Sequence, residues 1–163
     1  MSKFVLLFTF LVCCSIANAQ NTFKRNEIFL ELMGNGLLGS INYERQFGEK
    51  PGLGFRAGLG IYGQQPGFTV PVGLNYLINI TNNSLFLDLG VGATYASNSD
   101  GTLYISVKRQ FPYTPKTEFL YVMPSLGLKI VTSANYVWRT NIGAIRTDVG
   151  IFPYLGFGFG KRF

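Results

Sequence analysis

Eight charged side chains stand on one parity of segments that otherwise alternate apolar and small residues. They are Glu27, Glu31, Glu44 and Asp88 against Arg56, Lys129, Arg139 and Arg162, four of each sign. Enzymatic acid–base chemistry is the poorest use for such a set. The chain has no histidine, which removes every Ser-His-Asp, Cys-His and HExxH mechanism. Its two cysteines, Cys13 and Cys14, both lie in an apolar N-terminal run. Ser99, Ser106 and Ser125 therefore lack the imidazole that would activate them. A carboxylate mechanism on Asp88 or Asp100 is the enzymatic route left, and no cofactor or metal site is expected. The remaining uses are structural and electrostatic. Paired charges can neutralise one another inside a narrow space, because a buried charge of one sign is costly unless matched. Alternatively, they can line a polar conduit for ions or small solutes.

The elements that position these charges read as strands. Period-2 alternation recurs with turn residues between segments. Ile28, Leu30 and Leu32 oppose Glu27, Phe29 and Glu31 in the first, Glu27 to Met33. Ser40 to Phe47 sets Ile41 and Tyr43 against Asn42 and Glu44. Leu53 to Tyr62 sets Phe55, Ala57 and Leu59 against Arg56, Gly58 and Gly60. Further strands are expected from Phe68 to Tyr76, from Leu85 to Tyr95, near Glu118 to Ile130, from Tyr136 to Ala144 and from Ile151 to Phe163. That makes eight. On each, one face is almost wholly apolar, while the other mixes glycine, Thr, Asn and charge.

The two ends of the chain explain which face meets what. Lys3, the 11-residue apolar run Phe4 to Cys14 and Ala17-Asn18-Ala19 read as a secretory signal peptide over 1–19, leaving 20–163 as the mature domain. A lipoprotein cleavage at Cys14 is a weaker alternative, because the small residue usual before the cysteine is missing. The mature chain carries 13 basic and 8 acidic residues, a net charge of +5. An exported chain whose basic runs never exceed two residues is a poor nucleic-acid binder, so nucleic acid is not an expected partner. Only 13% of residues are charged, against ~25% in a soluble domain, and the mature chain holds no run long enough for a membrane helix. An exported, apolar chain of this kind has one other way to satisfy its backbone in lipid, a closed β-barrel. The expectation is an all-β, eight-stranded antiparallel up-and-down transmembrane barrel, the smallest usual size, whose narrow lumen is filled by side chains.

An even strand number puts both termini on one side. With the termini periplasmic, the inner turns are Gly48 to Gly52, Asn79 to Ser84 and Val131 to Asn135. The outer loops are Gly34 to Gly39, Gly63 to Gly67, the 21-residue stretch Ala96 to Lys116 and Arg146 to Gly150. Within the long stretch, Thr102 to Val107 could extend a neighbouring strand. Tyr43, Tyr62, Tyr76, Tyr95, Trp138 and Tyr154 lie near strand ends, where the outward ones would form interfacial girdles.

The chain resembles small bacterial outer-membrane β-barrel proteins of the OmpA-like type, and more closely short barrels of Bacteroidota-type bacteria. Glu31-Leu32-Met33-Gly34, Ser40-Ile41-Asn42-Tyr43-Glu44-Arg45, Phe55-Arg56-Ala57-Gly58, Val70-Pro71-Val72-Gly73-Leu74-Asn75-Tyr76, Asp88-Leu89-Gly90-Val91-Gly92 and the closing Gly160-Lys161-Arg162-Phe163 carry the resemblance. The final strand resembles the C-terminal strand by which such barrels are read by the barrel assembly machinery, with Leu155, Phe157, Phe159 and Phe163 as the signal and Lys161 where an apolar residue is usual. The resemblance implies an outer-membrane location, membrane lipid and the assembly machinery as partners, and no catalytic residues. The function expected is non-enzymatic, structural or through surface contacts, with Glu31, Glu44, Arg56, Asp88, Lys129 and Arg139 as an interior charge network. A small pore or transport component is the alternative. No surface ligand is named by these residues.

Overall fold

A computed structural model describes residues 23–62, 67–97, 118–147 and 150–163. The segment read as a signal peptide and most of the long loop, Thr102 to Val107 included, lie outside these residues. Eight strands form: β1 Asn26–Leu32, β2 Gly39–Gln46, β3 Leu53–Tyr62, β4 Gly67–Thr81, β5 Leu85–Ser97, β6 Glu118–Val131, β7 Tyr136–Thr147 and β8 Gly150–Arg162. Each pairs antiparallel with its chain neighbours, and β1 pairs with β8, so the sheet closes into an up-and-down barrel. Where all eight ladders run, closure leaves no free sheet edge. β4 runs further than the alternation indicated, through Ile78 and Ile80 to Thr81, with an irregularity in its ladder between Asn79 and Thr81. Asn79 thus belongs to the strand, and only 82–84 turn.

The alternation sets two surfaces. Outward positions are aliphatic and aromatic on every strand, with Leu59 68% and Trp138 56% exposed. Inward positions hold the charges, small polar residues and glycines. A soluble barrel inverts this arrangement, since apolar area left in water costs roughly 25 cal/mol per Å². The short connections (47–52, 82–84 and 132–135) and Phe163 share one end, here the turn end. The connection 33–38, together with the strand ends at Tyr62 and Gly67, Ser97 and Glu118, and Thr147 and Gly150, shares the other, the loop end.

Two seams limit the wall. The closing seam is short, running from Glu27 opposite Arg162 to Leu32 opposite Phe157. The β6–β7 ladder runs from Val131 opposite Val137 to Ser125 opposite Gly143. Pro124, with no N–H to donate, stands next in line where that ladder stops. Beyond it, β6 continues as a ribbon with β5, and β7 as a ribbon with β8.

Candidate functional site: the filled lumen

The lumen has two storeys of different chemistry. The lower storey, toward the turn end, holds all eight of the charges singled out above, none more than 8% exposed. Their positions follow from register: Glu27 lies opposite both Glu44 and Arg162, Glu44 opposite Arg56, and Lys129 opposite Arg139. Glu44 is the hub. Its carboxylate accepts from Arg56 Nη2 at 3.2 Å, from Arg139 Nη1 at 2.6 Å and from the Lys129 ammonium. Glu27 accepts from Lys129 Nζ at 3.2 Å and Arg139 Nη1 at 3.1 Å, with Arg162 Nε 3.8 Å away. Asp88 accepts from Arg56 at 3.3 Å, from Arg139 and from the Asn75 amide at 3.2 Å. Each cation thus faces at least one carboxylate, as a buried pair requires when neither member can reach water.

Glu31 stands at the edge of this cage. Its Oε1 accepts from Asn141 Nδ2 at 2.9 Å and lies 3.9 Å from Arg56 Nη1. Phe29, 1% exposed, supplies a ring face to two of the cations, with the Arg139 guanidinium 4.3 Å and that of Arg56 5.3 Å from its centroid. Such placement favours a desolvated guanidinium. Below the cage, Phe23 reaches under the barrel to Phe86, centroids 6.4 Å apart, and Arg162 packs over both rings. Leu77 and Val137, both buried, complete this floor.

The upper storey holds an apolar cluster beside the Thr and glycine residues expected on this face. Tyr62, Ala96, Tyr121, Met123 and Ile145 form one buried cluster, with Tyr154 against it. All are inward by parity near the loop ends of their strands. Tyr62 and Tyr154 therefore face the lumen and take no part in an outer girdle. Tyr62 donates its hydroxyl hydrogen bond to Ser97 O at 2.9 Å.

The β1–β2 connection stands at the loop end, as expected of an outer loop, but does not project from it. It folds into the barrel mouth, with Asn35 at 4% and Leu37 at 8% exposure. Leu37 joins the apolar cluster. Around it the wall supplies donors: Thr69 to Gly36 O at 3.0 Å, Thr94 to Asn35 O at 2.5 Å, and Tyr154 to Asn35 Oδ1 at 2.7 Å. Space for the loop comes from inward glycines. A Cβ on Gly92 would stand 2.7 Å from Asn35 Nδ2, and one on Gly156 3.0 Å from Gly34 Cα. The fold-back bends Met33 to φ 56° and Leu37 to φ 72°, the left-handed region that side-chain-bearing residues seldom adopt. The hydrogen bonds and the burial of Leu37 offset that strain. Alternation alone does not reveal this loop. Its signal was the match between a small loop, Gly34-Asn35-Gly36, and the small residues Thr69, Gly92, Thr94 and Gly156 on the facing walls.

Chemically, the site is a closed set of neutralised charges beneath an apolar cap. Among the described residues, no group of three or more carboxylate, thiolate or imidazole side chains is arranged to hold a metal ion. Leu155, Phe157, Phe159 and Phe163 are all exposed on the outer wall at the closing strand, remote from this interior.

Comparison with known proteins bears on the fold. Neither a family model nor a curated protein sequence matches the chain. Among solved structures, it is similar to the N-terminal β-barrel domain of OprF from Pseudomonas aeruginosa, with a TM-score of 0.58 and 13% identity over 88% of this chain and 98% of that one. It is also similar to the outer-membrane protein Ail of Yersinia pestis in a phospholipid bilayer nanodisc, with a TM-score of 0.54 and 13% identity over 86% of this chain and all of that one. The chain has the closed eight-stranded antiparallel fold of these outer-membrane barrels.

Proposed function

We propose that the chain is an outer-membrane β-barrel with a sealed lumen, acting without catalysis as a structural element of the envelope or through contacts made at its loop end. The observation that carries this reading is the pairing of an apolar outer wall with a lumen filled from floor to cap. The wall supplies what hydrocarbon demands, namely every strand paired and apolar side chains outward. Among the described residues, the lumen supplies no acid–base pair with a nucleophile, and its charges cancel, four against four. The likeness to OprF and Ail supports the location through the shared fold. Both termini then lie on the periplasmic side, with the loop end at the cell surface. The outward Leu155, Phe157, Phe159 and Phe163 are available to the barrel assembly machinery before insertion.

The test is single-channel recording in planar lipid bilayers, with the folded state followed by heat-modifiable gel mobility. We expect a heat-modifiable band and no steady conductance. A steady unitary conductance that changes ion selectivity in Arg56→Ala or Arg139→Ala overturns the sealed lumen in favour of a small pore.

A further inference from the structure

The interior charges cancel, so the excess of positive charge lies elsewhere. Among residues whose side chains are described, every charge outside the lumen sits at the turn end. These are Lys24, Arg25, Arg45, Lys50 and Lys161, with Glu49 as the one anion. None of the five cations makes an ion pair among the described residues. They are not spread evenly round the rim. Lys24 and Arg25 lead into β1, and Arg25 O accepts from Gln46 N of β2 at 2.9 Å. Arg45 lies opposite Asn26, Lys161 opposite Ile28, and Lys50 occupies the β2–β3 turn. All five thus fall in the sector β8–β1–β2–β3. The rim across the barrel turns on Asn82, Asn83 and Ser84 and on Thr132, Ser133, Ala134 and Asn135, which carry no charge.

We propose that this sector binds the anionic phosphate headgroups of membrane lipid. The proposal rests on the membrane reading above. What selects a lipid over a soluble anionic partner is the company the cations keep. Arg45 shares its outward face with Tyr43 and Phe47, whose rings pack on Phe55 at 6.0 and 5.9 Å. Lys161 lies between Phe159 and Phe163, with its Nζ 5.5 Å from the Tyr136 ring, and Tyr136 and Trp138 both pack on Phe159. Such aromatics anchor at headgroup depth. Basic side chains interleaved with them extend their apolar stems along the hydrocarbon boundary and lift their charges to the phosphate layer. Each basic residue near an anionic surface is worth ~1 kcal/mol, about fivefold in affinity.

Spin-labelled lipids at the perimeter of the folded full-length barrel in phosphatidylcholine vesicles test this directly. At low salt, we expect spin-labelled phosphatidylglycerol to be selected over phosphatidylcholine by about fivefold or more. The selection should collapse in 1 M NaCl, where the screening length is roughly 3 Å. It should fall to near parity in the fivefold variant K24Q/R25Q/R45Q/K50Q/K161Q, and persist in the charge-preserving R45K/K161R. Equal association of the two lipids with the wild-type barrel overturns the inference and leaves the membrane reading intact. So does full retention of selectivity by the fivefold variant. Competition by millimolar inorganic phosphate would instead assign the patch to a free anion and overturn the lipid source. A chain that inserts into no vesicle overturns the membrane reading and this inference together.

Discussion

The lower and upper storeys of the lumen solve one packing problem by opposite means. Below, long charged side chains from β1, β2, β3, β5, β6, β7 and β8 converge on Glu44, Glu27 and Asp88. Above, the chain folds its own β1–β2 loop into the mouth and seals it with Leu37 against Tyr62, Tyr121, Met123 and Ile145. The lower arrangement is demanding, since removing any one charge strands its partners in a place water does not reach. The upper is forgiving, since it depends on a few neutral hydrogen bonds and on apolar contact that a neighbour can partly restore. Charge fixes register at the turn end, whereas shape closes the barrel at the loop end.

The largest expected effect breaks the lower storey. Glu44→Ala leaves Arg56, Lys129 and Arg139 competing for the remaining carboxylates, and breaking a buried pair costs about 3–5 kcal/mol. Urea unfolding of the barrel in lipid vesicles should show a loss of that order. The neutral double variant Glu44→Gln with Lys129→Met should recover much of it. Equal losses in Glu44→Ala and the double variant would mean that charge balance does not govern this storey.

A smaller effect is expected above. Gly92→Val places side-chain atoms where Asn35 sits, and overpacking of this kind costs roughly 1–3 kcal/mol. The loss should appear mainly as faster proteolysis or amide exchange at 33–38, with the charge cage intact. Smaller again is Tyr154→Phe, which removes the donor to Asn35 Oδ1 and should cost about 1 kcal/mol. Amide exchange confined to the same loop would sharpen the contrast, whereas a global loss of several kcal/mol in Tyr154→Phe would erase it.

How far each storey could be read from residues alone follows the same division. The eight lower charges sit on strands whose alternation is regular, so parity assigns them to the lumen and their signs show that they can cancel. Parity also places Tyr62, Tyr121 and Met123 inward, whereas Ile145 lies just past the expected end of the seventh strand and faces inward because β7 runs on to Thr147. Their union into an apolar cap depends on a segment with no periodicity. The loop 33–38 enters the mouth because its carbonyls find Thr69 and Thr94, its amide finds Tyr154, and glycines on β5 and β8 leave it room. These are long-range complementarities, and no local pattern in Gly34-Asn35-Gly36 encodes them. The extension of β4 to Thr81 was hidden for a different reason. Asn79, a turn-former by composition, is held in strand by its pairing with Phe86.

The closing seam has a consequence for the order in which the barrel comes together. Glu27 stands on the first strand, and two of its charge partners, Lys129 and Arg139, follow 102 and 112 residues later. Until β1 meets β8, those two cations lack one of the carboxylates that neutralise them, so the cage is complete only in the closed ring. Contacts of such sequence separation carry a large loop-closure cost and slow the search for the native state. Closure is therefore the step at which the electrostatics of the interior are settled. A barrel stalled before it would hold unmatched charge of both signs, Glu27 on one side of the open seam and Lys129, Arg139 and Arg162 on the other, a state energetically distinct from the finished one.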